Sequence, residues 1–382
     1  METRRRDLKI PVQIPAPRQI AVGARPRSLR LWAVAMVAGI GCWLSLATSA
    51  TAQALSVTAW LPYWEMPAAL SSTLGHADVI GTASPYWYDI SGDATVHDET
   101  GAGSASVIAE LLARHLRLVP MVTEEAGMSA FARILASRSK RTALVRTLVK
   151  LASHPGYSGL DIDFESFAYD PKHRTALADR LAMPLYPALI SQACLALHAI
   201  DRTCQVTVMA RTTAAHVYAH GDIPSWVYDY RALAAAADRV QVMAYDDHSP
   251  GGRAGPIAPL PWVKQVIAYA RSQGSASRYE LGLPAYGYDW YTPTSATAVY
   301  ANQVSDLLTQ VRAHPHWDTT AGEETFSYRL HRHKHTVWIE NTAADVERAR
   351  LAAAAGFSGV AVWAAGYEQP QLWPGLYLSR PR

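Results

Sequence analysis

The sequence predicts an α/β fold: a (β/α)8 TIM barrel with a small β-containing insertion between its seventh and eighth strands. Three observations carry this expectation. Short apolar runs rich in β-branched residues recur eight times after residue 54. Alanine- and leucine-rich helical stretches separate them, and strands alternating with helices argue for parallel βαβ units. No low-complexity linker, solenoid-length repeat or second domain interrupts the series, which suits one barrel of ordinary size.

The expected strands are 57–61, 79–84, 118–123, 159–164, 205–210, 240–244, 281–284 and 359–363. The helical stretches between them are 107–115, 140–152, 187–198, 233–236, 262–272 and 343–355. The insertion spans roughly Asp289 to Glu340. Within it, 326–330 and 336–339 alternate as strands around the basic turn His331-Arg-His-Lys-His335. The histidines invite a metal-site reading, but the turn has no nearby Cys or acidic ligands, so a solvated turn is expected.

The N-terminal 54 residues form a separate segment. Arg4, Arg5, Arg6, Lys9, Arg18, Arg25, Arg27 and Arg30 precede an apolar run at 31–47, and Ala50-Thr51-Ala52 offers a small-residue cleavage site. The run is a little short for a spanning helix. It is either a cleaved signal or a retained membrane anchor, and in both cases residues 55–382 are exported to a periplasmic, cell-wall or extracellular compartment. Of three cysteines, Cys42 lies in the run, leaving Cys194 and Cys204 as a possible disulfide that the compartment permits and geometry decides.

Composition narrows the partners. The net charge is +3 with much of the excess at the N-terminus, so the barrel has no global basic field and nucleic acid is not an expected partner. The 12 Trp and 19 Tyr against 5 Phe suit sugar rings, though they suit a core and rim of amphipathic aromatics equally well. A monomer is expected.

The most informative segment is Tyr157-Ser-Gly-Leu-Asp-Ile-Asp-Phe-Glu165. Side chains alternate along a strand, so Asp161, Asp163 and Glu165 share one face while Leu160, Ile162 and Phe164 share the other. The apolar set must meet the helices, which sends three carboxylates inside the barrel. Burying unpaired charge is costly, so the strand either binds a cation or arranges protons. No further His or acid at matching spacing completes a coordination shell, so no metal is expected. Carboxylates this close cannot all ionise, and Glu165, at the carboxyl end of the strand where barrel sites are built, fits a protonated general acid tuned by Asp163. A solvated acidic edge strand and a metal-dependent hydrolase are the competing readings.

These residues resemble the D-G-x-D-x-D-x-E motif of glycoside hydrolase family 18, the chitinase family, with Ser158 in place of the first acid. Met243-Ala-Tyr-Asp246 is similar to the family's M-x-Y-D motif, and Trp363 matches the tryptophan that floors the −1 subsite. The resemblance implies that Tyr245 bonds the substrate's acetamido group and that Asp246 and Met243 contribute to that subsite. Ser84-Pro-Tyr-Trp-Tyr88, Gly282-Leu-Pro-Ala-Tyr-Gly-Tyr-Asp-Trp290 and His335-Thr-Val-Trp-Ile-Glu340 resemble the bacterial spore-cortex and cell-wall branch, which adds Tyr86, Trp87 and Tyr286 as substrate-binding candidates. The implied activity is retaining, substrate-assisted cleavage of β-1,4-linked N-acetylglucosamine polymers, either chitin or peptidoglycan, without a cofactor. A sugar-binding protein that has lost catalysis is the alternative class.

Overall fold

The computed structural model describes residues 55–168, 176–214 and 227–378. The expectations for the N-terminal lead and apolar run lie outside the described residues. Eight parallel strands close into a ring: β1 (Ser56–Leu61), β2 (Thr82–Ile90), β3 (Met121–Glu124), β4 (Gly159–Asp163), β5 (Thr203–Met209), β6 (Arg239–Met243), β7 (Tyr279–Pro284) and β8 (Gly359–Trp363). Closure comes from β1, which pairs with β2 on one side and β8 on the other. All eight expected strands are present, and the (β/α)8 barrel is confirmed.

The main core lies between strands and helices. Leu160, Ile162, Val206, Val208, Val240 and Val242 point outward and are fully buried against the helical layer. Helices at Ala105–Ala113, Arg138–Ala152, Ala176–His198, Tyr230–Ala236, Leu260–Gln273 and Thr342–Ala354 occupy the expected stretches. Ser137, Asp229 and Asn341 cap three of them through side-chain oxygens. Cys194, on helix Ala176–His198, is disulfide-bonded to Cys204 on β5 with Cα atoms 5.1 Å apart.

The second strand departs from expectation. It runs to Ile90 rather than ending at Ser84, and a β-bulge between Tyr86 and Tyr88 sets two of its residues against one of β3. The bulge reverses the alternation. Ser84, Tyr86 and Asp89 all face the barrel interior, whereas Trp87 is fully buried in the outer core, packed on Tyr157. Trp87 is therefore a packing residue, and the sequence expectation that it meets substrate is corrected.

The β-containing insertion is present as a small subdomain. A separate antiparallel sheet of five strands begins at Tyr286, immediately after β7, and runs in the order Ala296–Tyr300, Tyr286–Trp290, His333–Ile339, Glu323–Leu330, His316–Asp318. The basic turn places His331 and Arg332 at positive φ. His331 to Lys334 are exposed, as expected of a solvated turn, but His335 at its end does have an acid nearby. Its Nδ1 lies 2.9 Å from both carboxylate oxygens of Asp289, and its ring stacks on Tyr328 at 4.5 Å. Among the described residues no group of three His, Cys, Asp or Glu side chains could hold a metal ion, and no helix is long and apolar enough to cross a membrane.

Candidate active site

The carboxyl ends of the strands bring the acids of β4 into contact with residues from the rest of the ring. Asp161 is fully buried and receives hydrogen bonds from three elements. Trp60 Nε1, ending β1, donates to Oδ2 at 2.8 Å, and Ser84 Oγ donates to the same oxygen at 3.2 Å. Thr207 Oγ1 on β5 donates to Oδ1 at 2.9 Å. Burial raises the Asp161 carboxyl to about 6, and these three donors limit the rise.

Asp163 lies one pleat further up the strand and is 5% exposed. Its Oδ1 has no hydrogen-bond donor among the described residues. Burial pushes its carboxyl well above the usual range, and the charges of Glu165 and Asp161 push in the same direction. Its proton affinity is thus raised first by burial and then by the crowding that the alternation of acids implied. Glu165 follows the end of β4 and is the first of the three to reach the cleft, where it is partly exposed. The turn carrying it is tied down. Ala168 N donates to the Glu165 carbonyl at 2.8 Å, Phe167 N donates to Glu124 Oε2 at 2.9 Å, and Tyr228 Oη donates to the Phe164 carbonyl at 2.8 Å. Ser158, at the foot of the strand, falls on the opposite parity from the acids and so faces away from them.

The segment after β6 forms the adjoining wall. Asp246 adopts a left-handed conformation with φ 64°, a region that Asp tolerates better than most residues. That turn aims its carboxylate at the insertion sheet, where Tyr286 Oη donates at 2.7 Å and Tyr288 Oη at 3.0 Å. Burial raises Asp246 to about 6, and the two phenols oppose the rise. Tyr245 is half-buried beside Tyr286, their ring centroids 6.0 Å apart. Gly282 on β7 provides space for it, because a Cβ there would sit 3.0 Å from the Tyr245 ring and 2.7 Å from a β6 carbonyl. Met243, ending β6 on the inward parity, is partly buried and packs against the main core, as Tyr245 and Trp363 also do.

Trp363 ends β8 at the centre of an aromatic group. Trp60 and Trp64 approach it edge-on at 6.1 and 6.2 Å, and Trp64 in turn meets Tyr86 at 5.8 Å. The Trp363–Ala364 peptide is cis. Tyr86 accepts a hydrogen bond from Thr123 Oγ1 at 3.0 Å, and the same hydroxyl lies 3.0 Å from Asp89.

Asp161, Asp163, Glu165, Tyr245, Asp246, Trp363, Tyr86 and Tyr286 therefore gather at one end of the barrel, while Trp87 lies outside the site. Sequence reasoning missed Trp60, Ser84 and Thr207 around Asp161, Tyr288 on Asp246, and the buried Asp89. Strand parity carried a signal for Trp60 and Thr207, since both are inward positions near strand ends. Asp89 had none, because its inward aim depends on the bulge. Burial and the nearby Glu125 charge raise Asp89 to about 7.

Comparison with known proteins agrees with this geometry. The family model described as Glycosyl hydrolases family 18 matches residues 88–368. The glycosylase YvbX of Bacillus subtilis is 30% identical over 64% of this chain and 67% of its own length. The cortical fragment-lytic enzyme of B. subtilis is 31% identical over 38% of this chain, and the match spans only 35% of that enzyme. Among solved structures, a chitinase from Chromobacterium violaceum superposes with a TM-score of 0.75 at 27% identity, covering 85% of this chain and 99% of its own. The Bacillus cereus spore cortex-lytic enzyme SleL, with a TM-score of 0.72 at 20% identity over 86% of this chain and 74% of its own, shares the fold.

Proposed function

Since this chain belongs to glycosyl hydrolase family 18 and is a glycosidase, we propose that it cleaves β-1,4-linked N-acetylglucosamine polymers with retention, through attack by the substrate's own 2-acetamido oxygen. In the common glycosidase pair, acid and nucleophile are two protein carboxylates flanking the bond. Here the candidate acids rise along one strand, on one side of the cleft. The observation that carries the reading is the unpaired Asp163 Oδ1, a buried carboxylate oxygen with no donor among the described residues, one pleat below Glu165. A buried acceptor left without a donor costs stability. The acetamido N–H is a donor of the right kind, and holding it there turns the acetamido oxygen toward the anomeric carbon.

In this mechanism Glu165 protonates the departing glycosidic oxygen as the acetamido oxygen closes on the anomeric carbon. Positive charge then develops on the cyclic intermediate, and Asp163 stabilises it through the acetamido N–H. Asp161 supports Asp163 from below. Glu165, now ionised, takes a proton from water as that water opens the intermediate, and the two displacements return the original anomeric configuration. Trp363 supplies an apolar floor for the sugar, and Tyr245 and Asp246 bond its substituents. The apolar run at 31–47 and the small residues after it support export of this catalytic unit to where such polymers lie.

The test compares tetrasaccharides that share the linkage but not the acetamido group. N-acetylglucosamine tetramer should be cut with the β-anomer as first product, whereas cellotetraose and de-N-acetylated glucosamine tetramer should not, because without the internal nucleophile the proximity advantage is lost. Peptidoglycan run alongside, with products read by mass spectrometry, separates the two natural sources of the polymer. Comparable cleavage of cellotetraose would overturn the mechanism.

A further inference from the structure

The barrel interior below the acids is filled by a transverse chain of polar side chains. Thr207 Oγ1 lies 2.9 Å from Asp161 Oδ1 and also 3.3 Å from Gln241 Oε1 on β6. Gln241 Nε2 donates to Glu280 Oε2 on β7 at 3.0 Å. Thr58 Oγ1 donates to that same oxygen at 3.1 Å, while Ser56 Oγ at 2.8 Å and Arg239 Nε at 3.5 Å approach Oε1. Asp161, Thr207, Gln241 and Glu280 are each at most 2% exposed, whereas Ser56 and Arg239 lie at the partly exposed end of the chain.

The donor and acceptor inventory fixes the direction of this chain. Four donors converge on Glu280, which holds it as an acceptor-only carboxylate. The Gln241 amide nitrogen must then face Glu280, and its carbonyl must face Thr207. The threonine hydroxyl has one proton and two acceptors within reach. On the far side of Asp161, the Trp60 N–H points at Oδ2 and cannot reverse, so a proton carried by Asp161 resides on Oδ1, beside Thr207.

We infer that Glu280 is a remote positioning residue of the active site, which sets the polarity of the Gln241–Thr207 relay so that Asp161 is hydrogen-bonded with or without its proton. When Asp161 is ionised, Thr207 donates to it. When Asp161 is protonated, its O–H donates to Thr207, which turns and donates to Gln241. Asp161 is thus bonded in both states, whereas the Gln241 carbonyl receives the threonine proton only when Asp161 is protonated, so the relay favours the form that holds the proton. The inference rests on the reading of Asp161 as the support of Asp163. The charged and titratable groups facing this relay are Asp163 and Glu165 on the continuation of β4, Glu280 on β7, Arg239 on β6, and the Tyr186 hydroxyl from helix Ala176–His198.

Three substitutions separate the relay from simple charge or packing. In Glu280→Gln, Arg239 keeps the new carbonyl on its own side, so the new amide nitrogen faces Gln241 and forces that amide to turn over. Thr207 then has only Asp161 to donate to, which favours the ionised form. Gln241→Met also removes the second acceptor while leaving the Glu280 charge in place. In both variants the Asp161 carboxyl, followed by 13C NMR of labelled aspartate and assigned with Asp161→Asn, should titrate about one pH unit lower. The alkaline limb of kcat should move the same way with little change in KM. Thr207→Val removes the donor to the ionised form, so Asp161 should titrate higher. A lowered value in Glu280→Gln with none in Gln241→Met would mean that only charge acts, and the relay would be wrong. Shifts of one sign in all three, or none, would reduce these residues to filling. If Glu280→Gln does not fold, the opposite signs expected of the other two variants still decide. The NMR titration does not depend on turnover, so it stands even if Glu165→Gln proves active and the functional reading fails.

Discussion

Two of the clusters of buried acids among the described residues do opposite work. One is the stack of Asp161, Asp163 and Glu165 along β4. The other lies where the insertion meets the barrel, with Glu323, Glu340 and Asp345 around Arg348, all four at most 2% exposed. Burial raises the carboxyls of Glu340 and Asp345 well above the usual range, as it does for Asp163, while Arg348 pulls them back. By proton affinity alone the two clusters look alike.

Their surroundings differ. Arg348 Nη2 lies 2.8 Å from Glu340 and 3.5 Å from Glu323, and its remaining N–H groups reach the carbonyls of Ala258, Ala344 and Gly322. Glu323 accepts from the backbone nitrogens of Ile257 and Ala258 at 2.9 and 2.7 Å. That cluster ties the insertion, the helix before β8 and the segment after β6 together, and it is sealed. In the β4 stack Asp161 is held by the neutral donors Trp60, Ser84 and Thr207, and the last member of the stack opens to the cleft. A perturbed acid marks a functional site only where a substrate can reach its proton.

The comparison breaks first at Glu165. Glu165→Gln keeps shape and removes the transferable proton, so kcat should fall by roughly 10²–10⁴-fold with melting behaviour unchanged. A variant retaining most of its rate would place the proton donor elsewhere. At the other cluster, Arg348→Met should leave the chemistry of folded molecules intact but cost about 3–5 kcal/mol of stability in urea unfolding, since it strands buried acids without their cation. A loss under about 1 kcal/mol would mean the cluster is not the fastening described here.

The smallest effect sharpens the comparison through pH. Asp161 carries a raised value, about 6 against an ordinary 3.8. Its contribution to stability is therefore full below about pH 4 and is lost as pH rises to about 6, because the folded state resists ionisation. Asparagine cannot ionise, and its amide can still accept from Trp60 and donate to Thr207. Asp161→Asn should thus match the parent near pH 4 and exceed it by up to ~3 kcal/mol above pH 6, while losing activity. A stability difference that does not change with pH would show that Asp161 is not strained by its burial.

Much of this was legible from residues alone. Eight apolar runs alternating with helical stretches determined the barrel, because both periodicities are local properties of the backbone. Parity along Asp161, Asp163 and Glu165 sent three acids inward, since Leu160, Ile162 and Phe164 had to meet the helices. The Met243-Ala-Tyr-Asp246 and Trp363 matches placed the adjoining walls on the right strand ends. Trp87 was misread because alternation is reliable only while a strand stays regular, and the bulge at Tyr86–Tyr88 is a compromise with β3 that no local rule announces.

Which donors meet which acids was decided by the tertiary structure. Trp60 reaches Asp161 across 101 residues, and Thr58 reaches Glu280 across 222. Such pairings depend on how the closed ring staggers one strand against the next, a collective property of eight strands that no single segment encodes. The sequence by itself set the kind of chemistry, by lining one strand with carboxylates. Barrel closure set which of those carboxylates are held by Trp60, Ser84 and Thr207, and left Asp163 Oδ1 without a donor among the described residues.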